Sequence, residues 1–202
     1  MSSRRGPGRP AGAPAPRREQ LIDVTIDLVS DQGYAAATLG RIAAAAGLSK
    51  ASVLHHYPSV VELVGAAYQH VLASMVSVLT AALEPAAPAD RPLVYVTATV
   101  GYFRDHPRHT RMISEALVHL EEPGDSRGRQ EALAELLDEA RAARGLPTGQ
   151  DLRTAAVITG GAIDGIVREQ LADPTFDTSA AAADLAAALE MTVLSPLEQA
   201  LR

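Results

Sequence analysis

The sequence predicts an all-α fold of about nine helices, and three observations support this prediction. From Arg17 onward, apolar residues recur at the three- and four-residue spacing of a helix face, among abundant Ala, Leu and Glu. Sustained alternation of β-branched and polar residues, which would indicate strands, is missing. Segments rich in Pro or Gly, such as residues 84–92 and 145–149, separate the helical stretches, and the apolar pattern resets at each of them.

Length and composition fit one large domain, or a small domain joined to a medium one. The chain has 202 residues, of which 47% are hydrophobic and none is cysteine. The lack of cysteine excludes a disulfide framework, a thiolate nucleophile and a sulfur-ligated metal site. We find no apolar run of the ~18 to 20 residues that cross a bilayer, and no signal-peptide core at the N-terminus. We therefore expect a cytoplasmic protein with no membrane partner.

Charge is distributed unevenly along the chain. Residues 1–60 hold seven Arg and Lys against four Asp and Glu, a net +3, within a chain whose formal net charge is −6. The remaining residues therefore carry −9. A basic head on an acidic body is expected when only one end of a protein meets phosphate groups.

The first sixty residues predict an arm and three helices. Residues 1–16 are rich in Pro, Gly, Ala and Arg and cannot bury much apolar surface, so we predict a flexible basic arm. A first helix should cover 17–32 and end at Gly33. A second should begin after Thr38 as N-cap and stop at Gly47, and a third should begin at Ser49 and end before Pro58.

The second and third helices, joined by a glycine-containing turn, are typical of a helix-turn-helix. The third helix would present short polar and basic residues, which suit the major groove of DNA. From spacing alone, a helical hairpin with ordinary surface polar groups remains open. The body should add six helices, at 60–84, 92–105, 108–121, 127–144, 150–172 and 179–201.

A longer pattern is more specific than this spacing. The stretch GYAAATLGRIAAAAGLSKASVLHHYPSVVEL resembles the DNA-binding segment of the tetracycline-repressor (TetR) family. The match rests on a Gly-aromatic opening, an I-A-x-x-A-G turn and an S-x-[GA]-[ST] start to the third helix. The residues that fit it are Gly33, Tyr34, Thr38, Ile42, Ala43, Ala46, Gly47, Ser49, Ala51, Ser52, His56 and Leu63, with Tyr57 as the usual aromatic.

Two positions depart from the family pattern. Leu54 stands where the family usually has a tyrosine that contacts a phosphate, and Val60 stands where a lysine normally does so. The resemblance therefore implies that two backbone contacts are missing, and each neutralised phosphate matters to affinity. In the arm, Gly8-Arg9-Pro10 resembles the core of an AT-hook, whose arginine lies in a narrow minor groove. A solvated tail with general phosphate attraction is the open alternative.

The resemblance implies a DNA-binding regulator with three segments: the arm at 1–16, a helix-turn-helix domain at 17–62, and a helical domain at 63–202 that binds an effector and dimerises. The expected partners are double-stranded operator DNA, a small effector and a second copy of the chain, with repression the commoner outcome in the family. We predict DNA contacts from Arg4, Arg5, Arg9, Arg17, Arg18, Thr38, Arg41, Ser49, Lys50, Ser52, His55 and His56.

Candidate residues of the body are less specific. An effector pocket between the fourth helix and residues 92–121 would be lined by Tyr68, Met75, Tyr95, Tyr102, Phe103 and Met112, each of which could instead be plain core. By the resemblance, the last two helices would form the dimer interface, through Gly160, Gly161, Gly165, Leu185 and Leu189. Packing within one chain is the alternative for the glycines.

Other function classes find little support. The sequence has no phosphate-binding glycine loop after a strand, no GxSxG elbow and no HExxH motif. His106 and His109 could bind an anion or a metal, but a third ligand at a convincing spacing is missing, so we predict a solvated helix start. We expect no enzyme, no cofactor and no catalytic or metal-binding residue. A helical enzyme, or an adaptor without a DNA role, is the alternative.

Overall fold

The computed structural model describes residues 14–120 and 126–195, and these form nine α-helices and no strand. The helices are α1 (Pro14–Gln32), α2 (Leu39–Ala45), α3 (Lys50–His56), α4 (Val60–Leu83), α5 (Arg91–Asp105), α6 (Pro107–His119), α7 (Ser126–Ala143), α8 (Arg153–Ala172) and α9 (Thr178–Thr192). The predicted all-α class is confirmed. Residues 1–13, which hold most of the predicted arm, lie outside the described residues, as do 121–125 and 196–202.

Helix boundaries differ from the sequence predictions mainly at three ends. Helix α1 begins at Pro14, inside the predicted arm, because proline is tolerated in the first turn of a helix. Helix α8 begins at Arg153 instead of residue 150. Helix α9 ends at Thr192, short of the predicted 201, and Pro196 disfavours helix at the residue before it. A short 3₁₀ turn at Tyr34–Ala36 was not predicted.

Two hydrophobic cores hold the helices together. The first joins α1, α2, α3, α4 and α6, with Leu21, Ile42, Val53, Leu63 and Met112 at its centre. This core spans the boundary predicted at residue 62, because α4 and α6 both pack on α1. The second core joins α5, α7, α8 and α9 around Val96, Leu137 and Ile163. Helix α5 contacts α4 and α6 as well as α7, α8 and α9, so it connects the two cores.

Helix α4 corrects the expectation that no segment is long and apolar enough to cross a membrane. Its 24 residues, Val60–Leu83, meet that criterion by length and composition, which is weak evidence from a single helix. The sequence shows no unbroken apolar run here, because polar residues such as Glu62 and His70 interrupt the apolar residues of this helix. In the structure, one face of α4, including Leu63, Ala67 and Val71, is buried in the first core.

Candidate nucleic-acid interface

Helices α2 and α3 form a helix-turn-helix, and capping groups define both of them. The Thr38 hydroxyl accepts a hydrogen bond from the Arg41 backbone N–H (3.4 Å), and the Ser49 hydroxyl accepts one from the Ser52 N–H (3.1 Å). Gly47 between the helices has φ +65°, a conformation that residues with a Cβ rarely adopt. These features place the start of α3 as the sequence predicts.

Helix α3 has one buried and one exposed face. Val53 is fully buried and Tyr57, the residue after the helix, is 5% exposed; both pack in the first core. Lys50, Ala51, Leu54 and His55 are exposed, whereas Ser52 and His56 are partly buried at the edge of that face. The Ser52 hydroxyl also lies 3.1 Å from the Ser49 hydroxyl. Of the predicted contact residues on α3, Lys50 and His55 are the most accessible.

The Lys50 side chain folds back toward α2. A Cβ built at Gly40 would lie 3.1 Å from Lys50 Cε and 3.5 Å from its Nζ, so the lysine occupies the space that a side chain at residue 40 would fill. This arrangement places the ammonium group between the starts of the two helices. The lysine stem is flexible and the residue is exposed, so the side chain can leave this position.

The predicted arginines lie around this surface or outside the described residues. The Arg18 guanidinium carbon lies 5.0 Å from the centre of the Tyr57 ring, a cation–π geometry that holds α1 beside the end of α3. Arg41 donates a hydrogen bond to the Gln32 side chain, and Arg17 is partly buried. The three arm arginines Arg4, Arg5 and Arg9 lie outside the described residues.

Helix α6 of the body contacts the head at two places that sequence reasoning missed. Near its end, the Glu115 carboxylate accepts a hydrogen bond from the Tyr34 backbone N–H (2.8 Å), and the His119 ring stacks on the Tyr34 ring with centres 4.6 Å apart. Near its start, Arg108 donates to Asp27 of α1 (2.7 Å). The two hydrogen-bonded pairs are each 81 residues apart in sequence, and no local pattern indicates them.

A cluster of rings lies where α4, α5 and α6 meet. The Tyr102 hydroxyl lies 2.6 Å from His109 Nδ1, and the His106 ring stacks on Tyr102 with centres 4.3 Å apart. Burial lowers the pKa of His109, helped by the nearby His106 and His70, while Asp23 opposes this shift. Burial also raises the pKa of Tyr102 to about 12. At neutral pH the cluster therefore holds a neutral imidazole and a protonated phenol.

Most of the residues predicted for an effector pocket lie within packed regions. Tyr68, Tyr102, Phe103 and Met112 are at most 8% exposed, and Met75 and Tyr95 are partly buried. Only Tyr95 among them lines a cavity of about 170 Å³ between α5, α7 and α8. The charged pair at this cavity is Arg129 and Asp164, whose side chains are joined by two hydrogen bonds of 3.1 and 3.0 Å.

The residues predicted for a dimer interface divide between the interior and the surface. Gly161 and Gly165 face outward, and a Cβ at either position would meet no atom within 4 Å. Gly160 is buried beside Arg129 of α7. Leu189 is buried, at 5% exposed, and the partly buried Leu185 packs against the same second core.

Within the described ranges, no group of three His, Asp or Glu side chains is arranged to hold a metal ion. His106 and His109 instead interact with Tyr102, and their rings stack with centres 5.4 Å apart. The solvated helix start predicted for them is thus replaced by a partly buried ring cluster. Helices α4 and α5 cover this end of α6, and the local sequence does not show such tertiary packing.

Residues 21–67 match the model of a family described as bacterial regulatory proteins, tetR family. The chain is 30% identical to the HTH-type transcriptional regulator BetI of Cronobacter sakazakii over 94 residues, and this aligned stretch covers 46% of each protein. It is 43% identical over 54 residues, 27% of each protein, to an uncharacterized HTH-type transcriptional regulator of Mycobacterium tuberculosis. The chain thus spans less than half the length of these curated relatives.

Solved structures match over most of the chain. A TetR-like transcriptional regulator from Rhodococcus sp. superposes with a TM-score of 0.70 and 24% identity, covering 88% of this chain and 95% of the other. The fatty acid degradation regulator FadR of Bacillus halodurans gives 0.72 and 19%, covering 90% and 96%. FadR of Bacillus subtilis in complex with stearoyl-CoA gives 0.69 and 15%, covering 85% and 96%. At these identities the likeness supports the fold.

Proposed function

We propose that this chain, a member of the tetR family of bacterial regulatory proteins, is a ligand-responsive repressor that binds a palindromic operator as a dimer and is released by a small effector. The observation that carries the proposal is the exposed face of α3, with Lys50 and His55 accessible on a helix whose opposite face is fixed in the core. A helix held in this way can enter the major groove without moving relative to its own domain.

The charge of the head supports this orientation. Arg18, held over Tyr57, and Arg41 at the start of α2 flank α3, and both are exposed. Thr38 and Ser49, at the caps, offer hydroxyls and backbone N–H groups to phosphates beside the groove. We assign phosphate contacts to these four residues, to Arg17 and to the arm arginines Arg4, Arg5 and Arg9. Lys50, Ser52, His55 and His56 would contact bases or the phosphates next to them.

Dimerisation is supported by the outer faces of the last two helices. On α8, Val157, Ile158, Gly161 and Gly165 fall within one third of the helix circumference, and Val157 and Ile158 are 43% and 65% exposed. On α9, Met191 is 61% exposed beside a run of small alanines. Glycines on an exposed face let a second helix approach closely, and exposed apolar side chains would be buried by it. We place the interface there.

For the effector site, we propose the cavity at Tyr95. Its volume of about 170 Å³ is below the ~300 to 1,000 Å³ of common ligand pockets, which favours a small polar molecule. The relative FadR of Bacillus subtilis binds stearoyl-CoA, which is far larger. An effector would act by favouring one separation of the two heads, and DNA must then weaken effector binding by the same factor.

The test is selection of duplexes from a random-sequence DNA pool by the purified full chain. The proposal predicts one enriched palindrome, whose half-sites lie about one helical turn apart or a multiple of it. Enrichment of no sequence, or of a single asymmetric site bound by one copy, would contradict it. An enzyme or an adaptor without a DNA role would enrich nothing in the same pool.

A further inference from the structure

The exposed face of α3 carries a large apolar side chain that the fold does not use. Leu54 is 43% exposed and packs in neither hydrophobic core. It lies four residues after Lys50 and three after Ala51, so these three side chains are neighbours on one face of the helix. Val61, in the first turn of α4, is the other large apolar residue exposed within residues 17–62. Packing in the two cores therefore does not explain why a leucine stands at this position.

The position of Leu54 decides what it can contact. Lys50, Ala51, Leu54 and His55 together form the surface opposite the buried Val53, which is the surface that faces DNA when α3 lies in the major groove. An aliphatic side chain neither donates nor accepts a hydrogen bond, so it cannot replace a phosphate contact. In the major groove, the one apolar group at a base edge is the C5 methyl of thymine.

We propose that Leu54 is a specificity-determining residue that reads thymine through its methyl group, with Ala51 beside it. This inference rests on the proposed DNA-binding function. Ala51 is exposed and has only a methyl side chain, so it lets the helix backbone come close to the bases beside Leu54. The operator half-site therefore contains a thymine at a fixed position, and Leu54 contributes sequence preference where a polar residue at this place would contribute only general affinity.

The experiment uses the duplex selected by the full wild-type chain and a matched duplex in which that thymine is replaced by deoxyuridine. The replacement removes the methyl group and keeps base pairing. Loss of one buried methyl should weaken wild-type binding by about fourfold, and by about fifteenfold when both half-sites are changed. Leu54→Ala should bind the thymine duplex more weakly and should not distinguish it from the deoxyuridine duplex.

A control variant separates this effect from general loss of apolar surface. Val76→Ala removes an exposed aliphatic side chain from α4, away from α3, and should keep the wild-type ratio between the two duplexes. If Leu54→Ala kept that ratio, or if the selected half-site held no fixed thymine, methyl recognition by Leu54 would be overturned while the regulator function stood. If the wild-type chain selected no sequence at all, the proposed function would fail as well.

Discussion

The Glu115 carboxylate of α6 accepts a hydrogen bond from the Tyr34 backbone N–H at 2.8 Å, and this bond connects the body to the turn that precedes α2. The His119 ring, one helical turn later, stacks on the Tyr34 ring. Gly33, just before the turn, has φ +80°, and a Cβ there would lie 3.5 Å from the same carboxylate. The start of the helix-turn-helix is thus positioned by a residue far away in the sequence.

Glu115→Ala should therefore destabilise the head and weaken operator binding. The change leaves the Tyr34 N–H without its partner, which costs about 1 to 2 kcal/mol of unfolding free energy for a partly buried bond to a charged group. Glu115→Gln keeps an acceptor oxygen and should lose less. Urea unfolding and DNA titration of the two variants check this. Equal behaviour of Glu115→Ala and of Glu131→Ala, an exposed site on α7, would contradict the positioning role.

Lys50→Ala should weaken operator binding by roughly 1 to 3 kcal/mol if the lysine reads a base. The Lys50 side chain lies over Gly40, so it must leave this place to reach a base. Because Lys50 is exposed, the substitution should leave the unfolding free energy nearly unchanged. Fluorescence anisotropy with the selected duplex measures the effect. Unchanged affinity and unchanged sequence preference would remove Lys50 from the interface.

Deleting residues 1–13 should reduce DNA affinity and flatten its salt dependence. Arg4, Arg5 and Arg9 would no longer displace counterions. Each lost phosphate contact makes the negative slope of log K against log salt shallower by about 0.9. The deletion stops before Pro14, where α1 begins, so the melting temperature should stay the same. A truncated chain with the wild-type salt slope would show that the arm makes no phosphate contact.

Gly161→Leu should impair dimerisation and operator binding without harming the fold of one chain. A Cβ at residue 161 meets nothing within 4 Å, and leucine favours helix over glycine by roughly 0.5 to 1 kcal/mol. Gly161 also lines the cavity at Tyr95, so the leucine would project into that cavity or toward a second copy, and not into the packed core. Ala132→Leu, at an exposed position of α7, is the matched control. Sedimentation that shows Gly161→Leu to be as dimeric as this control would place the interface elsewhere.

Acid should destabilise the junction of α4, α5 and α6 through His109. The folded-state pKa of His109 is lowered, so the unfolded chain takes up a proton first as the pH falls below the ordinary value of about 6.5. The contribution of this residue is thus fully present above pH 6.5 and is lost between that value and the folded pKa. His109→Gln should flatten the pH dependence of the unfolding free energy below pH 6.5, measured by urea unfolding at several pH values. An unchanged pH dependence in this variant would contradict the role of His109.

Local sequence signals predicted the helices well, because their ends depend on nearby residues. Thr38 and Ser49 cap α2 and α3 as expected, and Pro58 and Pro107 mark helix boundaries. Contacts between distant segments could not be predicted. The Glu115–Tyr34 bond depends on how α6 packs on the head, and Tyr102 and Met112 were expected in a pocket but lie within packed regions. Apolar periodicity shows which face is inward, yet it does not show whether that face meets core or cavity.

The central claim is that two copies of α3 read one palindrome. The direct test is the affinity of the full chain, at about 0.15 M salt, for the selected palindrome, for a single half-site and for a scrambled duplex. The palindrome should bind at least about a thousandfold more tightly than the scrambled duplex, with two chains per duplex, and the half-site should bind far more weakly than the palindrome. Equal affinity for all three duplexes would contradict the account.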